Sequence, residues 1–379
     1  MGFGLDFLSS TDSVPWLMLE SSNRPLKVRL RHAAVLLLTA FTGVSLVAAP
    51  ADRRQRRDFA WTGETMGSRY SVTLARAPLA DNEVERLKAD VDAALQEVNR
   101  QMSHYQPNSE LSQFNRSDST KPCQVSPHFA EMTRFALELN LRSRGAFDPT
   151  LGPLINLWGF GQKGTTWQVP SDAQISEAMT RCGCQHLKVT ERGELQKDIP
   201  QLQLNLSAVA KGFGVDEMAR VIRARGVTNL FVSISGEVAA FGLNTEGNPW
   251  RVGIDSPVEQ SAHGEDIEAI VPLSNLAIST SGDYRKFFTD AQGRKYSHIL
   301  NPKTGRPLQH NLLSVSVVAE TCHVADALST TLFVLGPEEG LRWIEQYPNA
   351  SALFMTRAAD GRIKKFASSK FPRWTDTKP

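Results

Sequence analysis

Val84, Leu87, Val91, Leu95, Val98 and Met102 recur at intervals of three and four, which predicts an amphipathic helix over 82–102. The same reading predicts helices over 127–143 (stopped by Gly145), 171–181 with Ser171 as N-cap, 208–225, 324–335 and Leu341 to Tyr347. Strand patterns fall at Ser68 to Thr73, 229–241 and Ala352 to Thr356. Helices and strands are therefore mixed without strict βαβ alternation. That order favours an α+β fold over a doubly wound parallel sheet. Pro, Gly, Asn and Ser cluster at 149–168 and 242–249, and the first of these loops is long enough to be suspected of function. Length alone would suggest two domains, yet no linker separates them.

The amino-terminal sixty residues have a different character. Arg24, Lys27, Arg29 and Arg31 precede an apolar run from Ala33 to Ala49, followed by the small-x-small sequence Ala49-Pro50-Ala51. This succession reads as an export signal over 1–51, and an uncleaved membrane anchor is the alternative. Arg53, Arg54, Arg56 and Arg57 then read as a solvated basic tail over 52–61. The net charge of +2 gives no support for a nucleic-acid partner. Outside the cytoplasm Cys123, Cys182, Cys184 and Cys322 are permitted to pair, but Cys182-Gly183-Cys184 lacks a second ligand pair at zinc spacing. The cysteines read as structural or free.

Several residues have types suited to phosphate and heterocycle chemistry. Asp326 and Thr330 lie four apart on a predicted helix, so a carboxylate and a hydroxyl share one face, as hard oxygen ligands for magnesium would. Spacing alone equally allows an ordinary Asp and a Thr bonding back to a carbonyl. His298 precedes an Asn-Pro-x-Thr-Gly turn, where it suits a general base or a structural hydrogen bond. Lys211 suits a phosphate point charge or solvent. Met66 and Tyr105 suit clamping a flat ring or simple packing. The glycines of 145–161 do not form a dinucleotide fingerprint.

Taken together and in order, six segments resemble the ApbE family of FAD:protein FMN transferases, over about Thr62 to Ala350. They are Glu64-Thr65-Met66-Gly67-Ser68; Met102-Ser103-His104-Tyr105 with Ser109 to Asn115; Gly145-Ala146-Phe147-Asp148-Pro149-Thr150-Leu151-Gly152-Pro153-Leu154; Asn205-Leu206-Ser207-Ala208-Val209-Ala210-Lys211-Gly212; Ser279 to Tyr284 with Tyr296-Ser297-His298-Ile299-Leu300-Asn301-Pro302-Lys303-Thr304-Gly305; and Ala325-Asp326-Ala327-Leu328-Ser329-Thr330. The resemblance implies a T-fold-like α+β architecture over 62–368, with one continuous core and an FAD cleft, and a carboxy-terminal tail over 369–379. It implies that Met66 and Tyr105 flank the isoalloxazine. Ala146, Phe147, Asp148, Asn205, Lys211 and Leu300 would contact FAD. The Ala208 carbonyl, Asp326 and Thr330 would hold magnesium, and His298 would be the catalytic histidine.

The implied reaction is magnesium-dependent transfer of FMN from FAD to a threonine of a partner flavoprotein, with release of AMP. The implied partner is a subunit of a membrane redox complex facing the periplasm. A metal-dependent FAD pyrophosphatase and a non-catalytic flavin-binding protein are the competing readings. Three departures from the family pattern stand out. Asn205 and Asn301 replace the more usual Asp, and Ser235-Gly236-Glu237 replaces a double Gly before the acid. Asn keeps the acceptor oxygen and loses the charge. At Asn301 that predicts a change in turn chemistry only.

Overall fold

The computed structural model describes residues 56–161, 167–258, 264–284 and 286–377, and these belong to one compact unit. The expected export signal, with its apolar run from Ala33 to Ala49, lies outside the described residues. The main sheet has eight strands: β1 (Arg57–Thr65), β2 (Ser68–Ala77), β3 (Leu230–Ile234), β4 (Glu237–Phe241), β5 (Leu276–Gly282), β6 (Leu312–Ala319), β7 (Ala350–Arg357) and β8 (Ile363–Ala367). Their spatial order is their chain order, and every neighbouring pair is antiparallel. The helices are α1 (Asp81–Met102), α2 (Glu110–Arg116), α3 (Pro127–Arg142), α4 (Gly152–Leu157), α5 (Asp172–Met179), α6 (Ser207–Arg223), α7 (Cys322–Leu335) and α8 (Pro337–Ile344). Helices α1 to α6 enter between β2 and β3, and α7 and α8 between β6 and β7. Each half of the chain is thus a hairpin, a helical insertion and a second hairpin.

The packing follows the apolar pattern. Leu87, Val91 and Leu95 of α1 and Val215, Met218 and Ile222 of α6 are buried against Val72, Leu74, Val232 and Ile234 of the sheet. Val315 and Val317 join Leu328, Leu332 and Phe333 of α7. The opposite face is covered by a small sheet of Trp250–Asp255, Ile267–Leu273 and Thr375–Asp376, through Trp250, Val252, Val271 and Leu273. Strand β6 lies between these layers and is buried along its whole length.

The expected helices are present with ends shifted by a few residues. The exception is the one expected from Leu341 to Tyr347, which begins at Pro337 because Pro suits the first helical turn. The single strand expected over 229–241 is two strands, folded back at Ser235-Gly236. The suspected loop 149–168 contains α4. Of the expected basic tail, residues 57–61 lie in β1, which begins at Arg57, whose guanidinium pairs with Asp81 at 2.8 Å. Of the expected carboxy-terminal tail, Phe371 is buried in the core of the small sheet, and Thr375 and Asp376 extend that sheet.

Candidate active site

Each strip of family-like sequence ends at the same place because the fold brings the element ends together. Met66 and Gly67 form the two-residue turn between β1 and β2, with φ of 51° and 69°. Two positive φ values define a type I′ turn, which Asn-Gly or Gly-Gly takes with least strain. A methionine there holds a costly left-handed conformation, the kind of local strain that accompanies a functional position.

The amino-terminal turn of α6 is also irregular. Ala208 has φ −89° and ψ 15°, outside helical values. The Gly212 N–H, in the next turn of the helix, donates to Asp326 Oδ2 at 3.0 Å. Helices α6 and α7 approach closely at this point, and a Cβ on Gly212 would lie 2.5 Å from the Cys322 carbonyl oxygen. Asp216 of α6 fixes the start of α7, accepting from the Cys322 N–H at 2.7 Å and the His323 N–H at 2.9 Å. This acid at a helix amino terminus satisfies two orphan donors.

Met66, Tyr105, Ala146, Phe147, Asp148, Asn205, Ala208, Lys211, His298, Leu300, Asp326 and Thr330 all line one cavity of about 710 Å³. No residue singled out from the sequence as a site residue lies elsewhere. The volume falls in the range of small-molecule and cofactor sites. Tyr105 is 48% exposed and its ring lies against His104, at a centroid distance of 3.8 Å. Asp148 braces its own loop, accepting from the Thr150 N–H at 2.7 Å and the Thr150 hydroxyl at 2.5 Å. Asn205 Oδ1 accepts from the Ser207 N–H at 2.9 Å, an Asx turn leading into α6. Asn301 does the same for Lys303 at 2.8 Å, so its departure from the family pattern is turn chemistry, as expected.

Asp326 is 4% exposed. Burial, reinforced by the nearby Glu237 carboxylate, pushes its pKa up to about 7, while Lys211 and the Gly212 N–H pull the other way. Thr330 Oγ1 lies 3.2 Å from Ser281 Oγ. It is Thr331, not Thr330, that bonds back to a helix carbonyl, that of Ala327 at 2.8 Å. Among the described residues no three His, Cys, Asp or Glu side chains cluster at metal-binding spacing. A cation here would rest on one carboxylate plus neutral oxygens. The buried Asp326 and the irregular turn at Ala208 suit a hard ion that keeps waters and takes phosphate oxygens.

His298 receives a defined tautomer from its setting. The Lys286 carbonyl lies 3.0 Å from its Nδ1, and a carbonyl only accepts, so Nδ1 carries the proton and Nε2 the lone pair. Burial, with the charges of Lys286 and Lys211, lowers its pKa to about 4. The imidazole is therefore neutral and able to accept a proton at neutral pH. His104, also lining the cavity, is lowered to about 4 by burial and Lys286.

Sequence reading missed Glu237 and Lys286 as cavity residues. Glu237 Oε1 accepts from Lys211 Nζ at 2.5 Å. The signal for Glu237 was its place beside the Ser235-Gly236 turn. Ser235 has φ 58°, a conformation that Gly takes without strain, which accounts physically for a glycine in the family pattern at that turn. The four cysteines are unpaired thiols. Burial and the Asp148 charge raise Cys182 to about 12 and Cys184 further, so neither is a nucleophile at neutral pH.

The cavity combines an uncharged imidazole, an ammonium and buried carboxylate and hydroxyl oxygens with walls of Phe147, Met66 and Tyr105, groups whose chemistry suits a phosphate and a flat ring. Comparison with known proteins agrees with that chemistry. The model of the ApbE family matches residues 66–354. The FAD:protein FMN transferase of Vibrio cholerae is 40% identical over 311 residues, covering 82% of this chain and 90% of that protein. That of Escherichia coli K12 is 35% identical over 353 residues, covering 91% and 97%. The solved flavin transferase ApbE of Vibrio cholerae superposes with a TM-score of 0.75 at 38% identity, over 83% of this chain and 98% of that one. The flavinyl transferase ApbE of Pseudomonas stutzeri, in its apo form, does so with a TM-score of 0.73 at 37% identity, over 83% and 96%. The chain is an enzyme of the transferase class, and it belongs to the ApbE family.

Proposed function

We propose that this chain transfers the FMN half of FAD to a threonine hydroxyl of a partner flavoprotein, with magnesium, releasing AMP. The observation that carries the proposal is the convergence of all twelve sequence-selected residues on one cavity. The names of the relatives support flavin transfer, and the chemistry of the cavity supports the rest. Met66, Tyr105 and Phe147 would bound the isoalloxazine. Lys211 would meet a phosphate as a point charge. The Asp326 carboxylate, the Thr330 hydroxyl and the Ala208 carbonyl would hold the magnesium. When bound, that ion neutralises charge developing on the phosphate oxygens. His298 Nε2 takes the proton of the acceptor hydroxyl as its oxygen bonds to the FMN phosphorus. The phosphorus–oxygen bond to AMP breaks, and FMN is left esterified to the acceptor.

The amino-terminal segment supports an exported enzyme acting in the periplasm, on a subunit of a membrane redox complex. The test is incubation with FAD, magnesium and a candidate acceptor. Stoichiometric AMP and a covalently fluorescent acceptor are expected. Equal amounts of free FMN and AMP, with no labelled acceptor, would instead identify a pyrophosphatase. FAD binding without AMP would identify a binding protein.

A further inference from the structure

Resting on the reading of this cavity as an FAD site, we propose that Glu237 is a positioning residue, which holds Lys211 in place to receive a phosphate of the flavin nucleotide. Glu237 begins β4 directly after the turn at Ser235-Gly236, so its backbone is fixed by the sheet. Lys211 lies on α6, three residues beyond the irregular turn at Ala208. The 2.5 Å contact between Lys211 Nζ and Glu237 Oε1 therefore ties a helical ammonium to the sheet, inside the cavity.

The two partners are unequally placed. The Glu237 side chain is 5% exposed, whereas that of Lys211 is 36% exposed. Among the described residues Glu237 is the only hydrogen-bond partner of the Lys211 ammonium, so two of its three donors remain for a ligand. Glu237 Oε2 is closed off from solvent and has no hydrogen-bond partner among the described residues. A buried pair kept for stability would satisfy both carboxylate oxygens, because an uncompensated buried oxygen is costly. This pair is instead half satisfied, with its positive end turned toward open space.

The benefit is preorganisation. A lysine side chain carries much rotamer entropy, and a free lysine would lose a large part of it on meeting a phosphate. Glu237 imposes that order beforehand and keeps the ammonium charged within a largely apolar wall.

The experiment measures dissociation constants of FAD, FMN and riboflavin for the wild type, Glu237→Gln, Glu237→Asp, Lys211→Ala and the double variant Glu237→Gln/Lys211→Ala. Riboflavin has the ring and ribityl chain but no phosphate. Glu237→Gln is expected to weaken FAD and FMN about tenfold, the loss of one charge-assisted positioning contact, and to leave riboflavin unchanged. Glu237→Asp keeps the charge on a shorter stem and is expected to fall between. The double variant is expected to be no worse than Lys211→Ala alone, since Glu237 acts through Lys211. Unchanged riboflavin binding shows that the variants are folded. Equal weakening of all three ligands, or losses that multiply in the double variant, would overturn the inference and leave the FAD reading standing. A wild type that binds none of the three would overturn both.

Discussion

Gly212→Ala separates two opposite expectations. Gly212 is inside α6, and by helix propensity alone alanine should stabilise the protein by about 0.8–1.0 kcal/mol. The packing predicts the reverse sign. The added Cβ would sit 2.5 Å from the Cys322 oxygen, 2.6 Å from the Cys322 carbonyl carbon and 2.6 Å from His323 Cα. All three are backbone atoms, so no side chain can rotate away. Ordinary contact begins at 3.4 Å, so the two helices must part by nearly an ångström. Overpacking of this kind costs about 1–3 kcal/mol, which outweighs the gain in propensity. The displacement falls on the pair of elements that carries Ala208 and Lys211 on one side and Asp326 on the other, and it stretches the bond from the Gly212 N–H to Asp326. A misplacement of about 1 Å can cost on the order of 10²-fold in rate. Thermal melting and single-turnover AMP release from FAD are the assays. The expected result is a lower Tm with transfer slowed by about 10- to 100-fold. A variant with raised Tm and the wild-type rate would show that the helices do not meet there, and the account of the Ala-Lys-Gly segment would fall.

Four further outcomes are expected. His298→Ala should bind FAD normally and transfer FMN about 10²–10⁴-fold more slowly in single turnover, the usual worth of a general base; near-normal transfer would remove His298 from the mechanism. Because burial and two lysines lower the His298 pKa to about 4, the imidazole stays neutral until the pH falls below its ordinary range, so the part of the acid limb that His298→Ala removes should lie below pH 6.5, apart from the limb that Asp326, raised to about 7, sets in both proteins. Asp326→Asn should raise the magnesium concentration needed for AMP release and Thr330→Val should do so less, since only the first removes a charge; identical magnesium curves for the three proteins would refute the metal assignment. Asn205→Asp should fold and bind FAD, because either residue supplies the oxygen that accepts from the Ser207 N–H, and loss of binding by titration would show that the neutral amide is required.

The sequence made some parts of this molecule readable and hid others, and the division has a physical cause. Helix α1 was legible because one face of it is buried and the other solvated, which writes a three-and-four period into the chain. Strand β6 was not, because both of its faces are covered and Leu312 to Ala319 carries no alternation of exposure. The turn at Ser235-Gly236 was missed within an expected strand because Glu237 to Ala240 is buried without a break, and burial does not reveal direction. The small sheet over the second face was missed because its strands pair across residues 256–266, a separation that local periodicity does not encode. The cavity residues were legible only as an ordered set. Asp326 with Thr330, or Lys211 alone, is common enough to be uninformative, and Glu237 and Lys286 were not selected from any motif. What makes Asp326 distinctive is the bond it accepts from the Gly212 N–H, a long-range contact made where two helices touch through a glycine. Asp216 serves the same junction from one helical turn further along α6, by capping α7. The placement of the Asp326 carboxylate in the cavity therefore rests on a contact between residues more than a hundred positions apart.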